Sequence, residues 1–476
     1  MEVQSVSFTR YDHSETIVLR QPEREVKQNC FTVINGVNGT GKSAILRIIS
    51  DAALGLEASR QNKLFMRDIK ISISGKLSRT IALSGTHNDR FPMNSGIELR
   101  QNSNRFDMLQ FYYYGPKQSG NYTSVFKASN TISHSLLSEV QNPILPSESL
   151  ISFLDYLGFE PQLSLVFQVG NRFKGGTHPE YFQSLRSTLE ALRTDLSGSP
   201  KLPDSIYNSI LRAELIVGTP EFRALLRKSK HGKHITFDLI HGRGGLAIYN
   251  DDFFDLVRED AHVPLPQLLA DLIALGVLST RVSLVRKGSS EEVSLEELSS
   301  GEWQLLNSLL NLAINVDDNS LVLVDEPENS LHPQWQSDYV SLLRDLVSHR
   351  EGCHVIIATH SPLIAASIMP EDGNLIRFER GQDGGDLHSE MEDTAYGWLP
   401  EDVLKERFDM GSVRPPELTK ATNDALQLLK FSSDPSPELT VAATKIRRLM
   451  KFLPSHDPLL SVLNAIVEIA FRDRTK

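Results

Sequence analysis

Cysteine is scarce: Cys30 and Cys353 are the only two in 476 residues, and they form no pair at metal-ligand spacing. That excludes a disulfide framework and a cysteine-rich zinc site, and it fits a reducing compartment. Long apolar runs are also missing. No window approaches the roughly 18 apolar residues of a spanning helix, and "MEVQSVSFTRYDHSETIVLR" lacks the basic start and apolar stretch of a leader. A soluble, cytoplasmic chain with no membrane partner is expected. Basic residues are outnumbered, 49 Lys and Arg against 60 Asp and Glu, for a net charge of −11. This argues against coating nucleic acid by bulk charge, although a local basic patch is still allowed. No heptad pattern persists and no internal repeat is found, so a long coiled-coil arm and a solenoid are not expected.

What is present is 40% hydrophobic residues in a chain long enough for one large or two smaller cores. The first 35 residues alternate apolar and polar positions like a hairpin, then the buried run "CFTVIN" leads into a glycine-rich loop and the helix "AILRIISDAALGL". "DIKISIS", "RTIALSG" and "MLQFYYYG" read as further strands. From about residue 120 to 290 the texture changes to Ser, Gly and Pro punctuation, amphipathic helices such as "PEYFQSLRSTLEALRTDL" and the strand pair "HITFDLIHGRGGLAIYN". The pattern then returns to helix "VSLEELSSGEWQLLNSLLNLAINV", strand "SLVLVDE", helix "PQWQSDYVSLLRDLVSH" and strand "HVIIATH". Such alternation predicts a parallel sheet. The end is helical, with Ser436 and Asp457 as N-caps before Pro437 and Pro458. The expected division is 1–120 and 285–394 as two halves of one α/β core, 121–284 as an inserted α+β lobe, and 395–476 as a helical module.

Four motifs carry chemistry. "GVNGTGKS", Gly36 to Ser43, fits G-x-x-x-x-G-K-[ST] between a buried strand and an amphipathic helix. Gly36, Gly39 and Gly41 let the backbone curl so that N–H groups of the loop, those of Asn38 and Thr40 included, face phosphates, Lys42 adds a cation, and Ser43 offers its hydroxyl to Mg²⁺. "LVLVDEPE" ends a hydrophobic strand with Asp325, placed for a metal shell, and Glu326, placed to polarise an attacking water. "IIATHSP" puts His360 at another strand end, where it can sense a γ-phosphate. "LSSGE", with Ser299, Ser300 and Gly301, opens a helix; alone it is an ordinary N-cap, and only the set of motifs gives it a further meaning.

In this order the motifs resemble the ATP-binding cassette superfamily: Walker A, signature, Walker B with its glutamate, and switch histidine. "DEPENSLHPQWQ" and "ATHSP" resemble the RecF, SMC and OLD branch, and about 250 residues between Lys42 and Ser299 point the same way. The resemblance implies an α/β ABC-ATPase head of RecF/SMC-like type with an inserted lobe and a helical tail, hydrolysing ATP with Mg²⁺. It implies Glu326 and His360 as catalytic residues, Ser43 and Asp325 at the metal, and a glutamine there as well, Gln118 in preference to Gln110. It also implies a homodimer or higher oligomer in which Ser299 to Gly301 close over the partner's ATP and Asn329 to His332 cross the interface. Tyr11 and Phe8 are candidates to stack on adenine.

The layout of lobe and tail, with "YGWLPEDVLKERF", is similar to defence-associated ATPases such as the Septu and retron PtuA proteins or the PARIS ATPase. No Toprim, HNH or zinc signature is found, and the acids of "HSEMEDTAYG" read as a solvated loop. The expectation is an anti-phage ATPase controlling a nuclease or toxin in trans, with a RecF-like DNA-repair ATPase as the alternative. Direct DNA or RNA contact would fall to Arg223, Arg227, Lys228, Lys230 and Lys233, or to Lys445, Arg447, Arg448 and Lys451, though such runs are also ordinary solvated or protein-docking faces.

Overall fold

The computed structural model describes residues 1–10, 13–20, 29–53, 67–91, 111–116, 125–139, 147–169, 233–240, 243–245, 265–274, 276–380, 387–408, 410–431 and 436–472. The chain divides into two compact units, Met1–Trp398 and Leu399–Lys476.

The first unit opens with β1 (Glu2–Arg10), β2 (His13–Val18), β3 (Cys30–Gly36) and α1 (Lys42–Ala53), then β4 (Arg67–Ser74), β5 (Thr80–Ser84) and β6 (Phe111–Tyr114). Next come α2 (Val125–Glu139), α3 (Ser147–Tyr156), β7 (Phe159–Val169), β8 (Lys233–Ile240), β9 (Arg243–Gly245) and α4 (Leu265–Ala274). β10 (Leu278–Arg286), β11 (Glu292–Ser294), α5 (Ser300–Leu305), a π turn (Leu306–Leu310) and α6 (Asn311–Asn315) follow. The unit closes with β12 (Leu321–Asp325), α7 (Pro333–Val347), β13 (His354–Thr359), α8 (Pro362–Ala365), β14 (Gly373–Arg380) and β15 (Leu387–Glu392).

The main sheet has seven strands in the order β15-β14-β3-β13-β12-β5-β6. All neighbours are parallel except β15, which runs antiparallel on β14. Strands β3, β12 and β13 are buried along their whole length, as their Val, Ile and Leu runs require of a sheet covered on both faces. Their register aligns their C-terminal ends: Asn35 lies opposite Thr359, and Ala358 opposite Asp325. In open parallel sheets this rim is where ligands bind. A second sheet, β2-β1-β4, supplies Val3, Val6 and Phe8 to the core shared with Ile45, Leu46 and Ile49 of α1. The third sheet, β11-β10-β7-β8-β9, is antiparallel, with Leu163, Leu165, Val282 and Leu284 buried. Asn130 on α2 accepts from the Thr280 backbone at 2.6 Å and its hydroxyl at 3.1 Å, fastening that helix to β10.

Three expectations need correction. The acids of "HSEME" form strand β15 and not a loop, because β14 offers an edge to pair with and Arg377 gathers Glu379, Glu390 and Glu392 around one guanidinium. The "VSLEEL" stretch is not helical: Glu292–Ser294 pairs with β10 and the helix begins at Ser300. Phe8 is 2% exposed inside the core, so its ring is not available to adenine. Tyr11, Gln110, Gln118 and "PEYFQSLRSTLEALRTDL" lie outside the described residues, as do the Arg223 to Lys233 side chains.

The second unit contains α9 (Pro400–Arg407), α10 (Pro416–Phe431), α11 (Pro437–Leu449) and α12 (Leu459–Ala470). Leu418, Ala421, Ala425, Leu439, Ala443, Ile446, Leu463 and Ile466 form its own core. Ser436 caps α11 by accepting from Leu439 N. At α12 the cap position falls on Pro458, while Asp457 accepts from Leu459 N at 2.9 Å and is gripped by both Arg414 nitrogens, at 2.8 and 2.9 Å.

Among the described residues no helix is long and apolar enough to cross a membrane.

Candidate active site

β3 ends at Gly36, paired with Phe378 on β14, where φ is 151° and a Cβ would stand 2.4 Å from Phe378 O, leaving room for no side chain. Asn38 and Gly39 lie exposed at the tip of the loop that follows. Thr40 closes the turn by donating its hydroxyl to Val37 O at 3.0 Å, and α1 begins at Lys42. The Lys42 side chain folds back under the loop, with Nζ 2.8 Å from Gly36 O and 3.3 Å from Val37 O.

On the adjoining strand ends, Ser43 Oγ donates to Asp325 Oδ1 at 2.9 Å. Asp325 Oδ2 is buried with no hydrogen-bond partner. Lys42 Nζ lies 3.2 Å from His360 Nδ1 and 3.0 Å from Nε2, and Nε2 lies 3.4 Å from Glu326 Oε1. Both ring nitrogens of His360 thus lie within hydrogen-bond reach of the Lys42 ammonium, and Nε2 also faces Glu326. Five side chains separated by up to 318 residues thus meet on one rim.

Burial dominates the electrostatics. It holds Lys42 down to about 8 in spite of Glu326, Glu328 and Asp325, which pull the other way. It pushes Asp325 up to about 7, with Glu326 and Asp89 adding to the rise and the Ser43 hydroxyl and Lys42 opposing it. His360 is lowered by burial and then by the Lys42 charge. A rim with three buried or half-buried acids is suited to receive positive charge.

Backbone geometry aims Glu326. Its φ is +48°, in the left-handed region unusual for a residue with a side chain. A Cβ on Gly85 would stand 2.1 Å from Glu326 O and 2.7 Å from Gln304 Nε2, so only glycine allows the β5 and β12 ends to approach this closely. Asn329 Nδ2 donates to Glu326 Oε2 at 3.3 Å.

Ser299 caps α5 in a reciprocal box. Its hydroxyl accepts from Glu302 N at 3.3 Å, and Glu302 Oε2 accepts from Ser299 N at 2.9 Å. Arg286 holds the other Glu302 oxygen at 3.2 Å; against the upward push of burial, the Ser299 hydroxyl and backbone N–H, and then Arg286, keep the Glu302 carboxyl below its usual range. Ser299 and Ser300 are exposed, while Gly301 is buried against the loop after β12. A Cβ there would meet Trp335 Cζ3 at 2.7 Å and Ser330 O at 2.8 Å.

Sequence reasoning passed over several residues at this rim. Glu328, the second glutamate of "DEPE", is pushed up by burial and accepts from Thr359 Oγ1 and His360 N. The repeated acid two positions after Glu326 was the available signal. Asp89 accepts from Tyr113 OH at 2.6 Å and Phe91 N at 3.0 Å, in a loop whose composition carries no signal at all.

The profile of the family described as "AAA domain, putative AbiEii toxin, Type IV TA system" matches residues 31–366. Protein ea59 of Escherichia phage lambda is 42% identical over 74 residues, 16% of this chain and 14% of that protein. The Septu protein PtuA of Bacillus thuringiensis is 26% identical over 165 residues, 31% of this chain and 40% of that protein. The chain therefore spans less than half the length of either relative. Among solved structures, the Smc head domain with an extended coiled coil bound to the C-terminal domain of ScpA, from Pyrococcus furiosus, is 10% identical with a TM-score of 0.32, covering 82% of this chain and 96% of its own. Stu0660 of Streptococcus thermophilus is 12% identical with a TM-score of 0.31, covering 98% and 92%. UvrA2 of Deinococcus radiodurans is 15% identical with a TM-score of 0.28, covering 88% and 40%.

Proposed function

Because this chain belongs to that AAA-domain family, we propose that it is an ABC-type ATPase serving as the ATP-hydrolysing sensor or scaffold of a bacterial anti-phage system. In this reading it controls a partner nuclease or toxin through ATP-dependent dimerisation. The observation that carries the enzymatic part is the convergence of Lys42, Ser43, Asp325, Glu326 and His360 on one rim. The family description and the likeness to a Septu protein support the defence setting.

The residues fit Mg²⁺. Ser43 Oγ and Asp325 form an all-oxygen pair, and the unpartnered Oδ2 is a buried acceptor in need of a cation. Two protein oxygens suit a metal that keeps waters and phosphate oxygens as its other ligands. When bound, the ion neutralises charge on the β- and γ-phosphate oxygens.

Lys42 leaves the Gly36 and Val37 carbonyls to pair with phosphate, and the backbone N–H groups from Asn38 to Ser43 receive the remaining oxygens. Glu326 takes the proton of the attacking water, and His360, beside Glu326 and Lys42, contacts the γ-phosphate and holds that water in line. The exposed Ser299 and Ser300, at a helix N-terminus, close over the ATP of a second copy.

Glu326→Gln tests this reading. Turnover should fall by about 10²-fold or more while ATP binding persists, and light scattering should show an ATP-dependent dimer. Unchanged turnover would remove Glu326 from its role. In cells expressing the chain with its neighbouring genes, Lys42→Ala should abolish growth arrest on infection; arrest that persists would sever ATP from defence.

A further inference from the structure

The loop between β12 and α7 is tied to the segment carrying His360 by two separate side chains. Glu328 accepts Thr359 Oγ1 at 2.9 Å on one oxygen and His360 N at 2.5 Å on the other. Gln336, in the first turns of α7, donates to Leu331 O at 3.0 Å and accepts from Ser361 Oγ at 2.7 Å. Thr359 Oγ1 also receives Ser361 N at 2.9 Å, so residues 359, 360 and 361 are all held. On its other side the same loop is fastened to the signature helix. Gln304 on α5 donates to Pro327 O at 3.0 Å, and Gly301 packs without room for a methyl group against Ser330 O and Trp335.

From this geometry we infer that Glu328 and Gln336 are positioning residues that make the signature turn, the 326–332 loop and His360 one mechanical body. A displacement of Gly301 or Ser330 is transmitted to the His360 backbone by carboxylate and amide bonds instead of being absorbed in the loop. Each pin bonds in two directions: Glu328 uses an oxygen for each donor, and Gln336 uses an amide hydrogen on one side and its carbonyl on the other. The consequence for chemistry is that His360 reaches its working position only when the signature surface is seated. The inference rests on the role given to His360 above, and it adds the element that sets when His360 acts.

Glu328→Gln is the direct test, because it preserves shape while replacing a charged acceptor by an amide whose N–H either opposes His360 N or reverses the bond to Thr359 Oγ1, so that both charge-assisted bonds are lost or weakened. In the full-length protein, the ATP kcat should fall on the order of 10- to 100-fold, with KM and the affinity for a fluorescent ATP analogue changed by less than about 3-fold. Hydrogen exchange over residues 359–361 should quicken by about 10-fold. Glu328→Asp, which retains both acceptors on a shorter stem, should recover part of the rate. Should Glu328→Gln fail to fold, Thr359→Val removes one donor at the same pin and should move both readouts in the same direction. An unchanged kcat, or unchanged exchange at 359–361, overturns the inference. If His360→Ala keeps full turnover, the role assigned to His360 falls, while exchange still reports whether the two segments are coupled.

Discussion

At the scale of single residues, the site is a set of buried charges that offset one another incompletely. Lys42→Ala removes the cation that faces the acids of the rim, and ATP binding, followed by titration with a fluorescent analogue, should drop by at least about 100-fold. Gly85→Ala forces a methyl group into Glu326 O, so turnover should fall by about 10- to 100-fold and stability by about 1–3 kcal/mol, read from urea midpoints. His354 gives a pH signature away from the site. It is fully buried, with Nδ1 accepting from Val3 N at 3.1 Å and Nε2 3.0 Å from Thr32 Oγ1, and burial lowers it to about 3 from 6.5. The neutral ring is therefore the folded form. Its contribution is complete above pH 6.5 and is lost as pH falls towards 3, at up to about 1.4 kcal/mol per pH unit. Urea midpoints between pH 7.5 and 5 should decline less in His354→Gln than in the wild type; equal slopes would refute the assignment.

At the scale of elements, capping and register set what each segment can do. Ser436→Ala removes the acceptor for Leu439 N and should cost about 1 kcal/mol in the second unit, measurable by thermal melting. The helix from Ser300 to Asn315 contains a π turn at Leu306–Leu310, and Asn311 and Asn315 donate to the carbonyls of Asn307 and Asn311 at 2.7 and 2.8 Å. These amides line a buried face, so the apolar pattern by itself reads as plain helix. Strand β15 was hidden for a related reason: its acids look solvated until β14 and Arg377 are placed beside them.

At the scale of the whole molecule, each unit has its own core, and residues 399–476 expressed alone should be helical by circular dichroism. Mixing tests the proposed pairing of copies: Ser299→Arg and Lys42→Ala subunits form a heterodimer with one site carrying both lesions and one carrying neither. ATP turnover should then partly return, and no recovery from mutants that still dimerise would refute the trans arrangement. The sequence by itself determined the glycine-rich loop between β3 and α1, the acidic strand end and the parallel direction of β12 and β13, because glycine spacing and unbroken Val, Ile and Leu runs are local signals. Tertiary structure alone decided that Lys42 touches His360, that Glu326 is aimed by a left-handed backbone against Gly85, and that Glu328 and Gln336 bind one loop to another. Those facts depend on contacts between residues far apart in the chain, formed when parallel strands bring distant loops to the same edge, and no short stretch of sequence encodes them.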